Sequence, residues 1–235
     1  MNTFGWYELR TTDVAAAAAF YADVLDVEVR DGTLFRGERP VAALSALPER
    51  ARAAGAPANW LGHIVVADVD AAARAMLGRG GEPLGPPRPA GAPLALLRDP
   101  FGAVLALSST PARTDLVAWH ELHCRDRAAA LVVYGALFGW RATERLDFGL
   151  AAGPYQTFAW ADGPPVGAML DSARSPHVHT HWEFYFRVAD LDAAIARARA
   201  RGANVFQGPL PFVDGARIAS CEDPQGAAFS LYAAT

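Results

Sequence analysis

The sequence contains no lysine, because all 21 of its basic residues are arginine. This absence excludes Schiff-base catalysis by a lysine of this chain. Only two cysteines occur, Cys124 and Cys221, which are too few for a framework of disulfides. Basic charge is not in excess either, since the formal net charge is −4, and this argues against a nucleic-acid partner.

Long apolar runs are also missing from the sequence. No run reaches the about 18 residues that a membrane-spanning helix needs, so we expect no membrane partner. The first eight residues have neither a basic start nor an apolar segment typical of a secretory signal. We therefore expect a cytoplasmic protein.

Apolar residues are plentiful, although they are dispersed. They make up 52% of the 235 residues, against 20% charged residues, which is typical of a globular protein with a substantial core. Disorder is excluded as the main state, because this much apolar surface offsets the entropy lost on ordering the chain. A chain of this length forms one or two domains.

The chain contains an internal repeat, and three pairs of segments match in the same order. These pairs are residues 6–13 with 119–126, residues 60–70 with 182–192, and residues 99–102 with 223–226. The repeat predicts two domains, 1–110 and 116–235, joined by a linker at 108–115 whose Ser, Thr and Pro content is typical of a connection.

Each half is itself divided into two similar modules. Every module begins with a strand, continues with an aspartate that caps an alanine-rich helix, and ends with shorter strands. The four predicted helices begin near Asp13, Asp68, Asp126 and Asp190. The sequence therefore predicts an α+β fold of four βαβββ modules in tandem.

The module motifs resemble those of the vicinal oxygen chelate superfamily, which includes glyoxalases, bleomycin-resistance proteins and dioxygenases. The motifs are Phe20-Tyr21 in the first helix, Asp68-Val69-Asp70 and Gly80-Gly81 around the second, and the closing 99–105 segment, with counterparts in the second half. The likeness is closest to a two-domain actinobacterial subgroup with "hydroxylase" or glyoxalase-like labels. It implies two glyoxalase-like domains with cupped mixed sheets and helices outside. It does not fix the function, because this fold serves many chemistries.

The resemblance also implies where metal ligands would lie. The family's ligands occupy one position on the first strand of a module and one on its closing strand. The corresponding residues here are Trp6, Leu61, Trp119, Glu183, Ala106 and Ser230. Only Glu183 has a side chain suited to a divalent ion in an oxygen and nitrogen cage. We therefore expect the usual metal site to be absent, and we expect no cofactor.

Side chains that share the face of the ligand positions should line the cavities, because alternate residues of a strand point the same way. They combine aromatic rings with ionisable groups, which suits a small, partly aromatic organic ligand. The predicted ligand-binding residues are Trp6, Glu8, Arg10, His63, Trp119, Glu183, Tyr185 and Arg187, and the predicted catalytic residues are Glu121 and His123. The second half has the richer set, so we expect the functional cavity there.

Glu121 and His123 would catalyse an acid–base isomerisation or cyclisation. A carboxylate beside a tryptophan in a cavity is expected to have a raised pKa through desolvation, which suits a general acid or base. The alternative is structural: an arginine or tyrosine of the facing module ties Glu8 and Glu121 in place, and the carboxylates only organise the sheet. Trp6 and Trp119 either stack on an aromatic ligand or fill the barrel.

Two other functions remain open at this point. The first is a drug- or metabolite-sequestering protein of the resistance type, in which the same residues only orient the ligand. The second is a divalent-metal lyase or dioxygenase with a non-standard ligand set of Glu121, His123 and Glu183. The alternating His177, His179 and His181 suggest adventitious metal binding in a loop. Two halves in one chain allow either a monomer or a homodimer.

Overall fold

The computed structural model describes residues 2–85, 89–110 and 114–235. The first module comprises β1 (Thr3–Thr11), α1 (Val14–Val24), β2 (Glu28–Arg30), β3 (Thr33–Arg36) and β4 (Arg39–Ala46). After the short helix α2 (Glu49–Ala53), the second comprises β5 (Asn59–Val65), α3 (Val69–Leu77), β6 (Glu82–Pro83), β7 (Leu94–Arg98) and β8 (Val104–Ser108). Helix α2 was not among the predicted elements.

The second half repeats this order. Its first module comprises β9 (Val117–His123), α4 (Arg127–Phe138), β10 (Trp140–Leu146), β11 (Tyr155–Trp160) and β12 (Pro165–Leu170). A 3-10 turn at Ser172–Arg174 leads to β13 (His181–Arg187), α5 (Leu191–Ala200), β14 (Asn204–Pro211), β15 (Arg217–Glu222) and β16 (Ala228–Ala233), with a second 3-10 turn at Val213–Gly215.

The strands form two eight-stranded mixed sheets, one in each half. Their orders are β2-β3-β4-β1-β5-β8-β7-β6 and β10-β11-β12-β9-β13-β16-β15-β14. In every module the first strand pairs in parallel with the last, while consecutive short strands pair antiparallel. The predicted α+β class, with four βαβββ modules in tandem, is confirmed. The boundaries 1–110 and 116–235 stay a prediction, and part of the linker, residues 111–113, lies outside the described residues.

The four main helices begin as the sequence predicts. In each case the side chain of the N-cap aspartate accepts a hydrogen bond from the backbone N–H three residues later, which satisfies one of the unpaired donors of the first turn. The caps are Asp13, Asp68, Asp126 and Asp190. No helix in the described part of the chain has the length and apolar character needed to cross a bilayer.

The chain packs into two compact units, each built from one module of each half. Unit 1 contains Met1–Trp6, Gly62–Arg113 and His120–Trp182, and unit 2 contains Tyr7–Leu61, Thr114–Trp119 and Glu183–Thr235. The sequence repeat therefore does not coincide with the division into compact units.

Within unit 1, one buried chain of hydrogen bonds joins residues of two repeated segments through Tyr134 of α4. Trp182 Nε1 donates to the Tyr134 hydroxyl at 3.0 Å, and that hydroxyl donates to Asp99 Oδ2 at 2.8 Å. Asp99 Oδ1 in turn accepts the backbone N–H groups of Phe101 and Ala103, which fixes the closing turn. Burial raises the pKa of the Asp99 carboxyl.

Unit 2 contains the same arrangement with the repeat counterparts. Trp60 Nε1 donates to the Tyr21 hydroxyl at 3.0 Å, and Tyr21 donates to Asp223 Oδ2 at 2.9 Å. Burial also raises the pKa of Asp223. Two of the three segments that reveal the duplication thus take part in a buried hydrogen-bond chain in each compact unit.

Both cysteines are buried. The Cys124 thiol donates to the Leu170 carbonyl oxygen at 3.4 Å. Burial raises the pKa of Cys124 and of Cys221 to about 12. A thiol with such a pKa is a poor nucleophile near neutral pH.

Candidate active site

Strand β9 places Glu121 and His123 on one face of the sheet within unit 1. Glu121 is buried and His123 is half-buried. The Tyr155 hydroxyl, from β11, donates to Glu121 Oε2 at 2.6 Å, while His123 Nε2 lies 3.3 Å from Glu121 Oε1. The two carboxylate oxygens therefore have different neighbours, a phenol and an imidazole.

Both ring nitrogens of His123 have a polar neighbour. Nδ1 lies 2.8 Å from the Ser172 hydroxyl oxygen, and the ring stacks on that of His181 with 4.6 Å between centroids. A hydroxyl can donate or accept, so it serves either tautomer of the imidazole. A chain of polar groups thus runs from Tyr155 through Glu121 and His123 to Ser172.

This chain ends at a cavity of about 690 Å³ in unit 1. One side is formed by the loop 151–154 and the other by residues from the segment 171–178, including Ser172. Pro154, which precedes Tyr155, also lines it. The volume lies within the roughly 300–1,000 Å³ typical of small-molecule pockets.

A cluster of charged side chains forms part of the cavity wall. Asp171 Oδ1 accepts the backbone N–H of Arg127 at 2.7 Å, and Oδ2 accepts from the Arg127 guanidinium. A second guanidinium, that of Arg174, lies 3.3 Å from the same Oδ2. The segment containing Asp171 was predicted to be a plain loop, so sequence reasoning missed this cluster.

In unit 2, the predicted residue Glu183 belongs to a buried hydrogen-bonded group. The Ser230 hydroxyl donates to Glu183 Oε1 at 2.6 Å and lies 3.0 Å from the Ser220 hydroxyl. Glu183 and Ser230 are two of the positions where the family's metal ligands fall, and here the two side chains bond to each other.

An aromatic cluster in unit 2 contains two further predicted ligand-binding residues. Phe212 lies between them: its ring stacks on Tyr185, with centroids 5.5 Å apart, and meets Trp119 edge-on at the same distance. The Arg187 guanidinium lies 5.5 Å from the centre of the Tyr232 ring. No motif in the sequence predicted that Phe212 contacts both of these rings.

The first half is less polar at the corresponding positions. Glu8 accepts a hydrogen bond from Ser45 and lies 3.5 Å from Arg10, both within unit 2. Trp6 is half-buried, and the buried His63 pairs in register with Ala106. A serine and an arginine of its own module thus contact the Glu8 carboxylate.

The donor set does not fit the family's usual metal site. Trp6, Leu61, Trp119 and Ala106 offer no ligand atoms, and Glu183 is hydrogen-bonded to Ser230. In unit 1, the stacked rings of His123 and His181 offer two neighbouring imidazole ligands. The non-standard metal set of Glu121, His123 and Glu183 stays a prediction. We derive no catalytic step through a metal ion.

The predicted site residues are distributed over both compact units. Unit 1 contains Trp6, His63, Glu121 and His123, and unit 2 contains Glu8, Arg10, Trp119, Glu183, Tyr185 and Arg187. The direct contact between the two predicted catalytic residues lies within unit 1. Sequence reasoning missed Tyr155 and Ser172, since neither belongs to a repeated motif and both approach the site from other parts of the chain.

Comparison with known proteins places the chain in a family. The sequence profile of the Glyoxalase/Bleomycin resistance protein/Dioxygenase superfamily matches residues 3–107 and again residues 117–231. The chain belongs to this superfamily and contains two of its domains in tandem. It is 30% identical to CFP32 of Mycobacterium tuberculosis, named as a candidate glyoxylase, over 98% of this chain and 94% of that protein.

Half of the chain is also similar to proteins of another kind. The anthracycline biosynthesis protein DauV of Streptomyces sp. (strain C5) is 34% identical over 128 residues, covering 49% of this chain and 46% of DauV. Among solved structures, the 2,3-dioxygenase LapB from Pseudomonas sp. KL28 superposes with a TM-score of 0.65 at 12% identity, over 98% of this chain and 91% of LapB. The Mn(II)-bound glyoxalase from Novosphingobium aromaticivorans gives 0.65 at 16% identity, over 99% and 81%. At such identities the structures show the fold alone.

Proposed function

We propose that this protein binds a small, partly aromatic carbonyl compound and catalyses its isomerisation or ring closure by metal-independent proton transfer. Glu121 is the general base and His123 exchanges the proton with the cavity. The observation that carries the proposal is the contact of Glu121 with both Tyr155 and His123, because it combines a buried carboxylate with a route for its proton.

The proposed chemistry conserves atoms and electrons. A proton leaves a carbon next to the substrate carbonyl and passes through the Ser172 hydroxyl and His123 to Glu121, and the C–H electron pair moves into the carbonyl group to give an enolate. The proton then returns to another carbon, which isomerises the substrate, or the enolate carbon attacks a second carbonyl and closes a ring, with the proton passing to the new alkoxide. Neither outcome needs an oxidant or a reductant. Such general acid–base steps contribute about 10²- to 10⁴-fold to a rate.

Tyr155 and Ser172 have supporting roles in this scheme. The Tyr155 hydroxyl holds one carboxylate oxygen, so the other is directed towards His123. Ser172 contacts His123 Nδ1 and also lines the cavity, so it completes the connection between Glu121 and the bound compound. The similarity of half of the chain to an anthracycline biosynthesis protein supports a fused-ring, polyketide-like substrate.

The test uses a probe compound in place of the natural substrate. 1-Tetralone is a bicyclic aromatic ketone, and NMR in D₂O follows the exchange of its α-protons. We expect catalytic amounts of the protein to accelerate the exchange, and Glu121→Gln to reduce the acceleration by about 100-fold or more while the affinity for the probe stays within about threefold. Glu144→Gln, which changes an exposed carboxylate on β10, is the matched control.

Unchanged exchange in Glu121→Gln would remove Glu121 from the mechanism. Saturable binding of 1-tetralone without any acceleration would instead favour the sequestering function, in which the same side chains only orient the ligand.

A further inference from the structure

The wall of the cavity in unit 1 has an unequal number of positive and negative side chains. Among the residues that line it, the charged ones are Arg127, Arg174 and Asp171. Arg127 and Asp171 form a pair that is largely shielded from solvent, with 16% and 10% of their side chains exposed. Arg174 is the second guanidinium on the one carboxylate, so the wall has one positive charge in excess.

Arg174 is both accessible and fixed. Its side chain is 67% exposed, whereas its Nε donates to the Arg125 carbonyl oxygen at 2.9 Å and one terminal nitrogen contacts Asp171. A guanidinium has five N–H donors in a planar fork, so these two contacts leave donors for a further acceptor. Because the side chain is already held, a ligand loses less conformational entropy when it binds there.

The cavity also has apolar lining residues, Ala151, Ala152, Pro154 and Val178. A compound with a flat hydrophobic body and one acidic group matches both the apolar residues and the excess positive charge. A carboxylate is the acidic group that best fits the fork of a guanidinium, since it accepts two parallel hydrogen bonds.

We propose that the cavity selects aromatic monocarboxylates, and that Arg174 is the residue that recognises the carboxylate. This inference rests on the proposed function only in taking the same cavity as the ligand site. It extends that function by giving the charge of the substrate: an aromatic carbonyl compound with one carboxylate.

The test compares two probes of nearly equal shape and different charge. 2-Naphthoate has a carboxylate where 2-naphthamide has a neutral amide, and isothermal titration calorimetry measures the affinity of each. For the wild-type protein at low salt we expect 2-naphthoate to bind about fivefold more tightly, the size of effect that a partly exposed charge pair gives. The preference should shrink at about 0.5 M NaCl, because salt screens exposed charges.

Two variants assign the preference to a residue. Arg174→Gln should bind both probes equally, and its circular dichroism and melting temperature should stay close to wild type, because Arg127 still holds Asp171. Arg145→Gln, which removes an exposed arginine on β10, should keep the preference. The inference is overturned by equal binding of the two probes to the wild type, by no saturable binding of 2-naphthoate, or by a preference that survives in Arg174→Gln.

Glu121→Gln separates this inference from the proposed function. It should keep the preference for 2-naphthoate, because the preference is assigned to Arg174, which the substitution leaves in place. If Glu121→Gln does not slow the exchange of 1-tetralone but Arg174→Gln abolishes the preference, the proposed catalysis fails and the carboxylate site stands. The reverse result removes the carboxylate site and leaves the catalysis.

Discussion

At the scale of single residues, the role of His123 depends on its two neighbours. Glu121 and Ser172 contact opposite nitrogens of the ring, so a proton that reaches one nitrogen can leave from the other. The buried His120, three residues before His123 on β9, differs from it in role. Burial lowers its pKa to about 4 and its Nδ1 faces the Val166 carbonyl oxygen, so it stays neutral and structural.

Ser172→Ala tests this role of His123. The variant removes the hydroxyl at Nδ1, and we expect the exchange of 1-tetralone to slow by about tenfold, in line with the loss of one hydrogen bond of about 1.4 kcal/mol in the transition state. Ser175→Ala is the control, because Ser175 lines the same cavity and its hydroxyl is not the one at His123 Nδ1. Equal rates in the two variants would show that Ser172 takes no part in the proton route.

At the scale of elements, the closing turns of the modules depend on buried aspartates. Asp99 joins the turn after β7 to the Tyr134 hydroxyl, and its carboxyl has a raised pKa because it is buried. The folded state therefore binds this proton more tightly than the unfolded state does. It follows that the contribution of Asp99 to the free energy of unfolding falls as the pH rises from its ordinary pKa of 3.8 through the raised value.

Asp99→Asn should therefore destabilise the protein to a degree that depends on pH. We expect a penalty of about 1–3 kcal/mol, larger near pH 4 than near pH 7, from urea unfolding at the two pH values. The exposed N-cap substitution Asp68→Asn should cost less than about 0.5 kcal/mol, because asparagine is an equally good N-cap. A penalty for Asp99→Asn that grows with pH would contradict the assigned direction of the pKa.

The helices and strands also show which structural features the sequence could predict and which it could not. The N-cap aspartates and the alternation along β1 and β9 predicted helices and strand faces correctly, because these signals act within a few residues. Leu9 and Leu122 are fully buried on the faces opposite Glu8 and Glu121, as predicted. Tyr155 and Ser172 were not predicted, because their contacts with Glu121 and His123 join residues tens of positions apart. Such contacts depend on how the strands pair and on the path of the loop.

At the scale of the whole molecule, duplication has produced two halves with the same elements and different polar groups. The second half has a glutamate and a serine, Glu183 and Ser230, where the first half has Leu61 and Ala106. The cavity in unit 1 is lined by residues between Arg127 and Val178, which supports the expectation that the second half contains the functional cavity. A sequence repeat shows that two halves share a fold, and only the individual side chains show that they differ in chemistry.

A thermal-shift screen tests the ligand class on the intact chain. A ligand at about 100 times its Kd stabilises the folded state by about 2.7 kcal/mol, which raises the Tm of a chain of this size by about 5–10 °C. We expect aromatic and polyketide-like carboxylates to give such shifts in tag-free protein, and Mn²⁺, Ni²⁺, Zn²⁺ and Fe²⁺ to give none. A shift with a metal ion alone would point to the stacked pair of His123 and His181.

The central claim is that Glu121 transfers a proton without a metal ion. The most direct measurement is the rate of 1-tetralone α-proton exchange by tag-free protein before and after dialysis against a chelator. We predict that the rate is unchanged by chelation and by added divalent ions, and that it is lost in Glu121→Gln. A rate that disappears on chelation and returns with Mn²⁺, Zn²⁺ or Fe²⁺ would contradict this claim.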